Sequence, residues 1–355
     1  MNLPDNNYNS NSCSSQEEFC AYNTIPSAYD PAVIEQKEKN KQNKKGINSV
    51  GLLLLISSFV FTIAAVVFSL IYQLCQGTYI FPSEFDSIPD NIFNGLINSA
   101  SFGFCAVIFL KLTKTEFSEV LVFEKIKAGK LLGLVAIGFA VSMLSNMLTN
   151  LFLTNTYCFG INLIFDIESP ISNTAPEIIV YLLSTAVIPA FSEEILFRGA
   201  ILGKLRKYGD GFAVFVSALL FGLFHGNFIQ IPFAFIVGLV LGLTVVYTNS
   251  MLPAILIHFA NNAFSVIFDI LETNAETWGL ESALIDISYY LIVAVSSFIA
   301  IVAVALISKK EKNFMKLNPA TTDIDNKTRN KFLVTSPTII IATVILLIES
   351  VMIYF

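Results

Sequence analysis

Nine apolar stretches, most of them long enough to cross a bilayer as a helix, leave little room for any other fold. A spanning helix takes about 20 mostly apolar residues. Such stretches fall at 49–74, 92–110, 131–153, 177–200, 212–225, 231–247, 252–269, 287–308 and 332–354, the fifth being short. Composition agrees: 54% of residues are hydrophobic and only 14% charged, against about 25% charged in a soluble domain. Mean hydropathy is +0.68. The expected fold is all-α, a polytopic transmembrane bundle of about eight to nine spans, with no internal repeat.

Charge placement tests that reading, because cytoplasmic loops concentrate Lys and Arg. With the N-terminus inside, the inner segments hold Lys37–Lys45, then Lys111–Lys130, then Arg198–Lys207, then Lys309–Lys331, and these account for all 21 basic residues. The outer loops carry acids instead, among them Glu84, Asp90, Glu168, Glu272 and Glu281. The turn at Thr248–Met251 is an inner one without charges. The pattern predicts an integral, multi-pass membrane protein with a cytoplasmic N-terminus and an outer C-terminus.

The polar stretch 1–48 lacks an apolar core of signal-peptide type and reads as a disordered cytoplasmic tail. The expected organisation is that tail, a transmembrane bundle over 49–308, and a cytoplasmic loop plus a final spanning helix over 309–355. None of the five cysteines forms a CxxC pair, so a zinc ribbon or redox motif is not indicated. No basic stripe suits nucleic acid. The net charge of −6 says less about partners than charge placement does. The expected partners are the lipid bilayer and a membrane-associated peptide or protein.

A charged group in the bilayer costs at least about 2.5 kcal/mol and marks function by default. Three clusters stand out. In Glu193-Glu194-Ile195-Leu196-Phe197-Arg198, Glu194 and Arg198 are four apart and can pair on one helix face. Glu193 points about 100° away and is left free to act as a base; the alternative is a charged helix end reaching for the cytoplasm. Phe221 and His225 share a face at i,i+4. So do His258 and Asn262, which otherwise serve as an interhelical hydrogen-bonding pair. The chain has only two histidines, and both fall within spans. With Glu193 they supply a carboxylate base, imidazoles and an amide donor for a developing oxyanion. Simple counting puts Glu193 in the inner half and His225 in the outer half, so a short, tilted or re-entrant fifth helix is needed to join them.

These motifs, in this order, resemble the CAAX protease and bacteriocin-processing family, also called the type II CAAX prenyl endopeptidase family. Its pattern is EExxxR, FxxxH and HxxxN or HxxxD on separate helices, and all three are complete over about 130–270. The resemblance implies an intramembrane endopeptidase in which Glu193 activates water with help from His225. It implies that His258 and Asn262 stabilise the oxyanion, that Glu194 and Arg198 hold the site in shape, and that Phe221 packs the pocket. Zinc on Glu193, His225 and His258 is conceivable, yet no HExxH helix is present and Asn suits an oxyanion better, so a metal-free site is preferred. A scaffold or immunity protein on the same fold is the alternative. A proton-coupled transporter is less favoured, because transporters usually carry repeats.

Overall fold

The computed structural model describes residues 31–76, 87–159 and 174–352. The chain divides into two compact units, Met1–Lys45 and Gly46–Phe355. Among the described residues there is no strand, only an isolated bridge between Phe123 and Ser250.

Helix α1 covers Pro31–Gln76. This corrects the expected tail: residues 1–30 lie outside the described residues, but 31–48 are helical rather than disordered. Glu35 pairs with Lys39 at 2.8 Å, four residues on, a spacing that supports a helix. Extending an existing helix also avoids the cost of nucleating one.

In the second unit, α2 is Asn91–Leu112, α3 is Ala128–Cys158 and α4 is Ala175–Tyr208, each a candidate membrane span. Helix α5 is Asp210–Phe224, α6 is Gln230–Thr248, α7 is Leu252–Thr273 and α8 is Ser282–Lys310. Among the described residues, seven helices are long and apolar enough to cross a membrane. The expected final span, 332–354, falls on a bent pair of helices, Asn326–Val334 and Pro337–Met352, at 54°. Proline disfavours helical backbone at the residue before it, so Pro337 breaks the run. Asp325 caps the first piece by accepting from the Thr328 N–H at 2.9 Å.

Packing is inverted relative to a soluble domain. Phe298 is 68% exposed and Leu74 84%, while Glu194 and Arg198 are fully buried. Apolar surface faces lipid and polar groups face inward.

The basic loops of this unit gather at one end. Lys204 donates to Thr115 at 3.0 Å, Arg206 to Asn249 at 2.8 Å, and Asn249 to Glu124 at 2.7 Å. Asn318 donates to Asp210 at 2.9 Å, and Lys130 pairs with Glu311 at 2.9 Å. The charge-free turn at Thr248–Met251 sits among them: Met251 N–H donates to Val122 O at 2.8 Å.

Close helix approach depends on glycine at Gly138, where an added Cβ would overlap the Ile257 side chain of α7. Gly138→Leu should lower stability by about 1–3 kcal/mol, read as a reduced unfolding temperature in detergent. Gly129→Ala, where a Cβ meets nothing within 4 Å, should not.

Candidate active site

Helix α4 is irregular where its candidate site residues lie. It contains two π-helical segments, Leu183–Val187 and Ile195–Leu202, with Glu193 and Glu194 between them. Such wide turns are frequent at functional sites. Pro189 follows the first; it has no N–H for the carbonyl of Thr185, its i−4 acceptor. The Asn262 side chain of α7 donates to that Thr185 carbonyl at 3.3 Å. A proline in α4 thus makes an anchor for an amide on α7.

Glu194 Oε1 is the hub. It accepts from Arg198 at 2.8 Å and lies 2.9 Å from His258 Nδ1. Both ends of the Glu194–Arg198 pair are fully buried, which matches the i,i+4 pairing expected from sequence. Arg198 also donates to the Gly238 carbonyl at 3.3 Å and lies 4.3 Å from the centre of the Phe221 ring. Phe221 in turn meets His225 and His258 edge-on, at 4.7 and 5.8 Å between ring centres. It is a wall shared by both imidazoles.

The orientation of each histidine is fixed through Nδ1. His258 Nδ1 donates to a carboxylate, and His225 Nδ1 donates to the Phe221 carbonyl at 2.8 Å. Both Nε2 atoms are left for other chemistry, and His258 Nε2 is 3.9 Å from Glu193 Oε2. Gly226 ends α5 directly after His225, with φ +61° and its N–H on the Leu223 carbonyl at 3.2 Å. Glycine at this left-handed position is a common helix stop.

Glu193, Phe221, His225, His258 and Asn262 all line one cavity of about 390 Å³. The doubt about depth resolves simply. Gly209, with φ +106°, turns the chain between α4 and α5; Glu193 lies sixteen residues before it and His225 sixteen after. Helix α5, at 15 residues, is about 22 Å long. That is short of a hydrocarbon core of about 30 Å. It therefore stops at the depth of Glu193 instead of reaching the far side.

Sequence reasoning did not single out Thr185, Gln230, Asn261 or Asp269 as cavity residues, though each lines it. Asn261 donates to Asn262 Oδ1 at 3.1 Å. Asp269 was legible in principle, seven residues along α7 from Asn262 and hence near the same helix face. Among the described residues, no three His, Cys, Asp or Glu side chains are arranged to hold a metal ion.

Breaking a buried ion pair from one side costs about 3–5 kcal/mol. Glu194→Gln should therefore lower the unfolding temperature strongly, and Glu193→Gln by only about 1 kcal/mol. Adding Arg198→Met to Glu194→Gln should recover part of the loss, and a double-mutant cycle by thermal unfolding would measure it.

Residues 175–264 match the family model described as type II CAAX prenyl endopeptidase Rce1-like. The chain is also 30% identical over 154 residues to the membrane-embedded CAAX protease MroQ of Staphylococcus aureus (strain USA300). That match covers 41% of this chain and 62% of the relative, less than two thirds of its length. No solved structure matches the chain. The family match ends two residues beyond Asn262 and so takes in all three motif pairs on α4, α5 and α7. Through residues 175–264 this multi-pass membrane protein is thus similar to the type II CAAX prenyl endopeptidase family, and over 154 residues to a membrane-embedded CAAX protease.

Proposed function

We propose that this protein is an intramembrane endopeptidase that hydrolyses a peptide bond near the cytoplasmic side of the bilayer. The observation that carries the reading is the convergence of Glu193, His225, His258 and Asn262 on one polar cavity within the membrane-spanning region. Nothing but chemistry or binding explains so costly a set of groups there.

In this reading Glu193 takes a proton from water as the oxygen attacks the substrate carbonyl carbon. His225, with its Nδ1–H committed to a carbonyl, orients that water through Nε2. The oxyanion of the tetrahedral intermediate receives hydrogen bonds from His258 Nε2–H and from the second amide hydrogen of Asn262. His258 must then carry both ring protons. The proton held by Glu193 passes to the leaving amine as the C–N bond breaks. Glu194 and Arg198 position His258 and touch no reacting atom.

The substrate is a membrane-associated peptide or protein, reaching the cavity from the lipid-facing or cytoplasmic side. The cytoplasmic placement rests on the basic loops sharing one end of the bundle, since Lys and Arg collect on the inner face. A cysteine introduced as Lys312→Cys, in a background without other cysteines, should react with an impermeant maleimide only after cells are opened. Labelling of intact cells would invert the orientation.

The central test is peptide cleavage by the reconstituted protein. Wild type should cut, and Glu193→Gln and His225→Ala should each lose at least about 10²-fold. Asn262→Ala should lose about 10²–10³-fold. A chelator should leave the rate unchanged; inhibition reversed by zinc would overturn the metal-free mechanism. Retention of cellular function by both Glu193→Gln and His225→Ala would instead support a non-catalytic scaffold.

A further inference from the structure

A second cavity, of about 670 Å³, opens where α3 begins and α8 ends. Its walls include Lys127, Lys130 and Lys310, with Glu311 as the one acid and Leu306 and Ile307 as the apolar side. It has no part in the site described above. Helix α3 starts at Ala128 and α8 stops at Lys310. Two spanning helices end there together, so the cavity lies at the membrane surface.

The three ammonium groups differ in what holds them. Lys130 is committed: its Nζ lies 2.9 Å from Glu311 Oε2 and 4.0 Å from the centre of the Tyr247 ring. The Tyr247 hydroxyl also donates to Glu311. That hydrogen bond, and then Lys130, hold the Glu311 carboxyl below the usual carboxylate range, so it stays ionised at neutral pH. Lys127 and Lys310 form no side-chain hydrogen bond or ion pair among the described residues. Three cations thus face one carboxylate: Lys130 is paired with it, Lys127 acts on it only through space, and neither Lys127 nor Lys310 is held by a side-chain hydrogen bond or ion pair among the described residues. Leu306, one turn below and 55% exposed, offers an apolar wall on the lipid side. Basic on top and apolar beneath is the profile of a phospholipid at a helix–helix junction.

We propose that this cavity binds a phosphate-bearing anion, in the membrane the headgroup of an anionic phospholipid, through Lys127 and Lys310. Lys130, pinned by Glu311 and Tyr247, adds a fixed positive charge. The acyl chains run down past Leu306. Occupancy ties the start of α3 to the end of α8 and stabilises the bundle by mass action.

The test uses the full chain in nanodiscs of phosphatidylcholine, alone or mixed with phosphatidylglycerol. Unfolding temperature and the number of retained lipids in native mass spectrometry are the readouts. Phosphatidylglycerol should raise the unfolding temperature of wild type by a few degrees and leave bound lipid on the protein. Lys127→Gln/Lys310→Gln should lose both effects while melting like wild type in phosphatidylcholine alone. Lys125→Gln/Lys309→Gln removes the same charge outside the cavity and should keep both. Equal loss in the two double variants would reduce the effect to general surface charge and overturn the site, as would no effect of phosphatidylglycerol on wild type. An equal rise from millimolar inorganic phosphate in phosphatidylcholine discs, lost in Lys127→Gln/Lys310→Gln, would overturn the lipid assignment in favour of a soluble phosphate.

Discussion

The site depends on one carboxylate oxygen. Glu194 Oε1 accepts from Arg198 on its own helix and from His258 on α7, and it does so without access to solvent. In such surroundings an unpaired charge is worth several kcal/mol of instability. The three groups must therefore fold together or not at all. Their pairing draws α4 against α7, and through the Arg198 contacts with Gly238 and Phe221 it draws in α6 and α5. A polar hub thus does in this bundle what apolar burial does in a soluble core. Apolar surface has no reason to leave lipid for protein, so packing and buried hydrogen bonds carry the association.

Backbone irregularity serves the same end. Pro189 denies Thr185 its helical donor, and Asn262 steps in. Gly226 stops α5 one residue after His225. The first defect is answered by a side chain of the candidate site, and the second leaves His225 at the end of its helix. Local regularity is given up where it would have left these groups facing away from one another.

Much of this was written in the sequence. The spans, the confinement of Lys and Arg to alternate loops, and the Glu194–Arg198 pairing follow from period and spacing. The shared depth of Glu193 and His225 was legible too, since both lie sixteen residues from Gly209; counting inward from the charged loop on one side and outward on the other concealed it. The helix over 31–48 was missed because a polar composition argues for disorder only when no apolar helix continues from it. The break at Pro337 was missed because hydropathy sees residue type and not backbone angle. The bond from His258 to Glu194 joins residues 64 positions apart, and no local period encodes such a contact. Cavity residues such as Thr185 and Gln230 carry no signal of their own.

The even spacing of Glu193 and His225 about Gly209 has a consequence for how such a chain can change over time. Between Gly209 and either residue, one inserted or deleted position would slide a cavity-lining side chain by about 1.5 Å and swing it by about 100°. Substitutions there can be absorbed, but changes of length cannot. The connections beyond the hairpin face no such demand. Variation in length among relatives should therefore collect at the loops and tails, leaving the two arms of this hairpin with a fixed residue count.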